Sequence, residues 1–361
     1  MANFDADYCY SFPAVRGVQA GRPFYIATCP MRIIPKIFSF DETDVPPELR
    51  AQRILNKSRI PEMVRYLLEN PKDYVFSALT ASIAVDVQFD EYPNSNNLGT
   101  LRVPMDAQIL INDGQHRRKA IEDALAERPE LGQDNIPVLF FVDEGLRRSQ
   151  QMFADLNKYA IRPSPSLSAL YDHRDVSSNL ARYLAMTTEP FIGLTELEKS
   201  SISMLSNKLF TLSSIKQATR VLLGKDPKVG DIEENTHIAT QYWQAIYQVM
   251  PDWQLASRKE VSPTQLRQDY VHAHGIGLQA LGLLGRSLLA EEPELWAQKL
   301  EKLKTFDWRK SNPEMVKRAM QHGKLSKTSA AIQLTCNALK LALSLPLTPE
   351  EQELEAQMVA S

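Results

Sequence analysis

The chain has 361 residues, of which 43% are hydrophobic and 24% are charged, and its formal net charge is -3 at pH 7. This is the composition of an ordinary globular protein, and the length suits two or three domains, each with its own core. Because the overall charge is slightly negative, any nucleic-acid-binding surface has to be a local patch. A cytosolic enzyme is the alternative that this composition leaves open.

The cysteines and the apolar segments predict a cytoplasmic protein. Cys9, Cys29 and Cys336 are scattered and odd in number, which argues against a disulfide framework and fits a reducing compartment. The acidic N-terminus has no apolar run of the kind found in signal peptides. The longest apolar stretch, residues 276–290, is too short to span a bilayer and predicts a buried helix.

Strands and helices alternate in the first 165 residues, which predicts an α+β or α/β domain over 1–165. Residues 1–40 have the pattern of short strands separated by prolines and glycines. The remaining predicted elements are helices at 44–55, 60–68, 115–126 and 145–156 and strands at 76–89, 107–112 and 136–142.

Helical periodicity dominates from residue 166, which predicts a mainly α-helical domain over 166–349. The predicted helices lie at 180–186, 205–222, 236–249, 278–289, 295–303, 313–320 and 329–343. Residues 350–361 carry four glutamates and no basic residue. They are predicted to form a frayed acidic tail.

The stretch from Ile109 to Lys119 predicts a strand, a tight turn and the start of a helix. Backbone N–H groups at a helix start attract anions, whereas cations in the first turn oppose the helix dipole. A bound phosphate would therefore stabilise this turn. The alternative is a plain Asp-Gly turn whose arginines are solvated.

Each residue of this turn has a chemical role in the phosphate hypothesis. Asp113 can cap the helix, and Gly114 permits the sharp turn. Arg117, followed by Arg118, offers a planar group suited to two-point phosphate contact. His116 could donate a hydrogen bond to a phosphate or transfer a proton near neutral pH.

The five residues Asp113-Gly114-Gln115-His116-Arg117 match the signature of the DGQHR-domain family. They also resemble the Gly-x-His-Arg turn of the ParB/sulfiredoxin-like fold, whose loop binds nucleotide phosphates. The segment from Phe153 to Ser164 resembles the Phe-x-x-x-Asn element of DGQHR-type proteins, which implies that Asn157 lies beside the phosphate loop. From spacing alone, Asn157 is more typical of a helix C-cap.

The resemblance implies a phosphate or nucleotide site made of Gly114, Gln115, His116, Arg117, Arg118 and Asn157. One departure matters, because Gln115 stands where sulfiredoxin has its reactive cysteine. Reduction of a sulfinic acid is therefore not implied.

Three longer runs resemble the DndB family of DNA sulfur modification proteins: residues 151–175, 198–203 and 209–215. The length and the order of motifs also fit this family. The resemblance implies a bacterial cytoplasmic protein that represses the gene cluster for DNA phosphorothioation by binding its promoter. Other DNA sulfur modification proteins would be its further partners.

The segment from Lys299 to Lys327 is basic, with nine Lys and Arg residues against three acidic ones. Its pattern predicts a helix at 313–320, a glycine-containing turn, and a second helix, the outline of a helix-turn-helix. The expected DNA-binding residues are Lys317, Arg318, Lys324, Ser326, Lys327 and Thr328. Bases would be read by Thr328, Ser329 or Gln333. The alternative is a helical hairpin with a solvated basic face.

Two further features of the sequence concern side chains with possible chemical roles. Cys29 lies near several basic residues and could be a reactive thiol. The alternative is that it is a small buried core residue. His272 and His274 have no third ligand nearby in the sequence, so no metal site is expected.

The leading hypothesis is a DNA-binding repressor of the DndB type, as a homodimer if its operator is palindromic. The alternative is a hydrolase of ATP or GTP with Mg²⁺, in which Asp113 helps to hold the ion or a water. His116 and Arg117 would then stabilise the transition state. A third hypothesis is that the protein is an interaction scaffold within a modification complex.

Overall fold

The computed structural model describes residues 8–38, 57–142, 151–152, 154–156, 158, 163–224, 231–289, 298–321 and 323–360. Contacts between residues divide the chain into two compact units, Met1–Ile161 and Arg162–Ser361. The predicted domain boundary at residue 165 lies close to this division. The predicted helix at 44–55 and most of the one at 145–156 lie outside the described residues.

The first unit is built on a seven-stranded mixed sheet with the order β4-β5-β1-β2-β7-β3-β6. Its strands are β1 (Cys9–Gln19), β2 (Arg22–Pro30), β3 (Leu79–Ile83), β4 (Gln88–Glu91), β5 (Leu98–Pro104), β6 (Ile109–Asp113) and β7 (Asn135–Val142). Strand β3 pairs in parallel with β7, and the other pairs in this sheet are antiparallel. The helices are α1 (Ile34–Ile37), α2 (Ile60–Glu69) and α3 (Gln115–Glu127), with 3-10 turns at Met31–Ile33, Lys57–Arg59 and Pro129–Gln133.

The core of this unit lies against the sheet. Phe140 of β7 stacks near Phe12 of β1 and Phe38, with ring centroids 6.2 and 6.3 Å apart. All five residues of β3 are buried, as expected for a strand flanked by β7 and β6. The single predicted strand at 76–89 is instead two strands, β3 and β4. Strand β5 was not predicted, although Leu101 and Val103 alternate into the core.

The second unit is mainly helical. Its helices are α4 (Pro165–Tyr171), α5 (Val176–Thr187), α6 (Leu212–Leu223), α7 (Ile232–Gln248), α8 (Pro251–Ser257), α9 (Pro263–Asp269), α10 (Gly275–Leu288), α11 (Pro313–Ala319), α12 (Ser329–Ala342) and α13 (Pro349–Ala360). Short strands pair as β8 (Thr195–Glu196) with β9 (Phe210–Thr211) and as β10 (Met320–Gln321) with β11 (Lys324–Leu325), and a 3-10 turn spans Glu301–Thr305.

Helix α10 is the buried centre of this unit, which confirms the buried helix predicted for 276–290. It packs tightly on α6, because a side-chain carbon added at Gly282 would lie 2.4 Å from the carbonyl oxygen of Ala218. The fully buried rings of Tyr242 and Trp243 contact this pair, because the Tyr242 hydroxyl donates to the carbonyl oxygen of Leu281 and Nε1 of Trp243 donates to the hydroxyl of Thr219. Among the described helices, none has the length and apolar character needed to cross a membrane.

Two local predictions for this unit were wrong. The helix predicted from residue 205 begins at Leu212, because Thr211 and Ser214 form a reciprocal capping box there. The predicted frayed acidic tail is the helix α13. Its Glu351 pairs with Lys340 at 2.6 Å, and its Glu355 pairs with Arg318 at 2.6 Å. These two buried cations hold the acidic helix in place.

Candidate functional site

The turn between β6 and α3 depends on Gly114. Its φ of +107° is in the left-handed region, which strains any residue with a side chain. A carbon added at Gly114 would also lie 2.4 Å from Cδ2 of Leu79. The glycine therefore allows the chain to leave the buried strand and enter the helix within one residue.

Arg117 is held by the protein on two sides. Its Nη2 donates to Oδ2 of Asp113 at 2.7 Å, and its Nη1 donates to the carbonyl oxygen and the hydroxyl of Ser77. Only 13% of the Arg117 side chain is exposed, against 47% of the Asp113 side chain. The arginine thus connects the turn to the segment that leads into β3. Sequence reasoning missed Ser77 because it lies 40 residues away.

Arg118 is not placed to bind a phosphate. Its Nε and Nη2 donate to the carbonyl oxygens of Phe38 and Pro35 at 3.1 and 2.9 Å. Its Nη1 pairs with Glu122 at 2.7 Å, and its side chain is 8% exposed. The cations at this helix start are therefore neutralised by carboxylates of the chain itself. The sequence had instead suggested that a bound phosphate would neutralise them.

The other residues of the expected phosphate site differ in their surroundings. Gln115 is buried and turns back to the strand, where its Nε2 donates to the carbonyl oxygen of Ile111 at 3.3 Å. His116 is half-buried, and burial together with Arg59 and Arg117 holds its pKa below the ordinary value. Its imidazole is therefore neutral at pH 7. Asn157 lies outside the described residues.

Cys29 lies in β2 and is fully buried. Burial raises the pKa of its thiol, so the reactive thiolate that the neighbouring basic residues suggested is disfavoured. This position matches the alternative of a small core residue. In the described part of the chain, no group of three or more His, Cys, Asp or Glu side chains could hold a metal ion.

The predicted helix-turn-helix has a different geometry. Helix α11 is followed by the hairpin β10–β11, whose turn includes Gly323 with a φ of +73°. Helix α12 then enters the core, where Thr335, Asn337 and Lys340 are buried. The turn predicted between the two helices is therefore a β-hairpin, and the buried part of α12 cannot lie in a DNA groove. Thr328 and Ser329 at the start of α12 are exposed, so base reading by these two residues stays a prediction.

Arg318 lies in this segment but is removed from solvent. Its guanidinium pairs with Glu314 of the same helix and with Glu355 of α13, and its side chain is 7% exposed. Both of its carboxylate partners would have to leave before it could reach a phosphate. Gln333 is engaged in a similar way, because its Nε2 donates to Oε1 of Glu351 at 3.0 Å.

Ser326 and Thr328 organise the start of α12. The Thr328 hydroxyl accepts the backbone N–H of Ala331 at 3.3 Å, as an N-cap does. The Ser326 hydroxyl is buried and lies 3.1 Å from that of Thr328. Both hydroxyls therefore have a structural role at the start of this helix.

Lys317, Lys324 and Lys327 are exposed, and we call these three residues the lysine surface. Within the described ranges, none of them lies within ion-pair distance of a carboxylate. The acidic residues of the basic segment are used elsewhere, since Asp307 pairs with Arg309 and Glu301 pairs with Lys304. Lys302 and Lys310 of the same segment donate instead to backbone carbonyl oxygens, those of Leu343 and of Arg267 and Gln268. The lysine surface is therefore the part of the unpaired positive charge that lies on α11, β11 and the approach to α12.

Comparison with known proteins identifies the family. Curated proteins and solved structures give no match to the chain. The model of the DndB family, described as DNA-sulfur modification-associated, matches residues 12–346. This match covers most of both units and all of the lysine surface. The chain therefore belongs to the DndB family of DNA-sulfur modification-associated proteins.

Proposed function

We propose that this protein binds duplex DNA at the promoter of a DNA sulfur modification gene cluster and represses its transcription. The observation that carries the proposal is the lysine surface. Three exposed lysines without carboxylate partners in the described structure lie within residues 317–327 of a chain that is negative overall. Duplex DNA is the polyanion that a protein associated with DNA sulfur modification would meet there.

The lysines are suited to positioning the protein on DNA. Ammonium groups contact backbone phosphates as point charges, and such contacts set the orientation on the duplex without reading its sequence. Arg318 has a supporting role, because its ion pairs with Glu314 and Glu355 connect α11 to α13. Ser326 and Thr328 fix the start of α12 beside Lys327.

The first unit is included in the proposal as a ParB/sulfiredoxin-like domain of the DGQHR type. The supporting feature is the passage from β6 through left-handed Gly114 into α3. Since Arg117 and Arg118 are used in contacts within this unit, we assign the turn a role in holding the sheet and α3 together.

Promoter binding tests the proposal directly. A labelled duplex from the promoter of the protein's own gene cluster is titrated with the full chain, beside a shuffled duplex of the same composition. Tighter binding of the promoter duplex is expected. Equal affinity for both duplexes would contradict sequence-specific repression, and turnover of ATP or GTP without promoter preference would favour the hydrolase hypothesis.

A reporter gene under the same promoter tests repression. The triple variant Lys317→Ala, Lys324→Ala, Lys327→Ala should relieve repression. The matched control is Lys304→Ala, which removes one positive charge from the same segment but from a lysine paired with Glu301. Repression by the triple variant at the wild-type level would exclude the lysine surface as the DNA site.

A further inference from the structure

A cavity of about 770 Å³ opens within the second unit. Its wall includes residues at the starts of the three long helices α6, α10 and α12, and also residues of α9. Cavities of this size accommodate small organic ligands. The DGQHR turn does not contribute to it, and of the lysine surface Lys327 lines it whereas Lys317 and Lys324 do not.

The wall of the cavity is free of acidic side chains. None of its described lining residues is Asp or Glu, whereas Arg267 and Lys327 are both present. Hydroxyl and amide side chains supply most of the other polar groups, among them Ser214, Gln279 and Ser329. This combination disfavours a cationic ligand and favours an anionic one.

Arg267 brings a positive charge that the described residues do not neutralise. Its guanidinium donates to the backbone carbonyl oxygens of Ser203, Met204 and Ser206 at 3.0, 3.2 and 3.0 Å. It also contacts the carbonyl oxygen of Lys208 and the hydroxyl of Thr264. All of these partners are neutral, so the charge of the guanidinium persists at the wall of the cavity.

The start of α10 adds partial positive charge in the same place. This helix has 14 residues, and its N-cap residue His274 forms no side-chain hydrogen bond with the first turn. The first N–H groups of a helix have no acceptor within the helix, and a buried start normally has a cap, water or ligand. By contrast, Thr211 caps α6 and Thr328 caps α12. Ile276, in the first turn of α10, is buried and lines the cavity.

We propose that this cavity is a binding site for a phosphorylated small molecule, with its phosphoryl group at the start of α10 and near Lys327. The uncapped N–H groups of α10 would donate to the phosphoryl oxygens. Arg267 and Lys327 would supply the positive charge, and the hydroxyl and amide side chains would contact the rest of the ligand.

Binding is tested by calorimetry on the full chain with inorganic phosphate, AMP, ATP and adenosine as probes. The proposal predicts binding of at least one phosphorylated probe and no binding of adenosine, because the phosphoryl group provides the recognition. Failure of all phosphorylated probes at millimolar concentrations would overturn it. Binding of adenosine as tightly as AMP would also overturn it. So would a protein that binds duplex DNA but none of the phosphorylated small molecules.

Two variants locate the site. Ser329→Asp places a carboxylate at the cavity wall and in the first turn of α12. The helix dipole favours an acid there, so we expect this variant to fold. Lys327→Ala removes the exposed cation. Each should weaken binding at least fivefold, whereas Lys324→Ala, which removes a nearby exposed lysine outside the cavity, should leave binding unchanged.

A melting curve of each variant without ligand shows whether it is folded. If Ser329→Asp melts at the wild-type temperature and still binds the phosphorylated probe with unchanged affinity, the assigned site is wrong. Loss of binding in Arg117→Ala with retention in Ser329→Asp would transfer the ligand to the first unit, and this result would also overturn the proposal.

Discussion

Glu355, near the end of the chain, holds the buried guanidinium of Arg318 at two points, with Oε2 2.6 Å from Nη2 and Oε1 3.3 Å from Nε. An acidic residue of the last helix thus satisfies a cation that the sequence suggests for DNA contact. The same helix places Glu351 against Lys340, with both side chains at least 88% buried. Helix α13 is therefore a structural part of the second unit.

The first prediction concerns Glu355→Ala. This substitution leaves the buried Arg318 with Glu314 as its remaining carboxylate partner. We expect the free energy of unfolding to fall by about 2 kcal/mol, which is less than the ~3–5 kcal/mol typical when a buried ion pair is broken completely. Chemical denaturation measures the loss. The control is Glu353→Ala on the exposed face of α13, which should cost less than about 0.5 kcal/mol. Equal effects of the two substitutions would show that the Arg318 pair does not hold α13.

The second prediction concerns the turn into α3. Gly114→Ala introduces both a strained φ and a contact with Leu79, and we expect it to destabilise the protein by about 2–4 kcal/mol. Gly21→Ala is the matched control, because Gly21 also has a positive φ of +74° but an added carbon there meets nothing within 4 Å. It should cost about 1 kcal/mol. If the control is as damaging as Gly114→Ala, the packing against Leu79 is not what requires the glycine.

The third prediction concerns thiol reactivity. Burial raises the pKa of Cys336 to about 12 and also raises that of Cys29, so neither should react with a thiol-specific reagent in the folded protein. Cys9 is partly exposed and should be labelled. Mass spectrometry after labelling, with and without denaturant, distinguishes the three. Rapid native labelling of Cys29 would restore the hypothesis of a reactive thiol.

The fourth prediction concerns acid stability. Burial lowers the pKa of His274 to about 4, whereas in the unfolded chain it is about 6.5. Between these values the unfolded state binds more protons, so stability falls as the pH decreases from about 6.5 to about 4. The slope from this one group is at most about 1.4 kcal/mol per pH unit. His272 is also buried with a lowered pKa and adds to the effect.

The variant His274→Gln tests this assignment. Glutamine can still donate to the carbonyl oxygen of Arg267, as Nε2 of His274 does at 2.8 Å, but it does not titrate. The dependence of unfolding free energy on pH between 4 and 6.5 should therefore become shallower. An unchanged pH dependence would show that His274 does not contribute to acid destabilisation.

Sequence patterns predicted the elements whose signals are local. The strand, glycine turn and helix around Gly114 follow from an apolar run that ends at Asp-Gly, and the buried character of α10 follows from its apolar length. Strand β5 escaped prediction because its buried apolar side chains are only Leu101 and Val103, between glycine, arginine and proline. A short alternation of this kind gives a weak periodic signal.

The roles of the arginines could not be predicted because their partners are distant in sequence. Arg118 donates to the carbonyl oxygen of Phe38, 80 residues away, and Arg318 pairs with Glu355, 37 residues away. Counting the basic residues of the sequence suggests that both arginines could bind a phosphate. Only the fold shows which cations are neutralised internally and which, like Lys324, remain exposed.

The salt dependence of promoter binding tests the central claim most directly. Each phosphate contact contributes about 0.9 to the slope of log affinity against log salt concentration. The triple variant Lys317→Ala, Lys324→Ala, Lys327→Ala should bind more weakly at every salt concentration, with a slope smaller by up to about three contacts' worth. Lys304→Ala should retain the wild-type slope. An unchanged slope in a folded triple variant would show that DNA is bound elsewhere and would contradict the account.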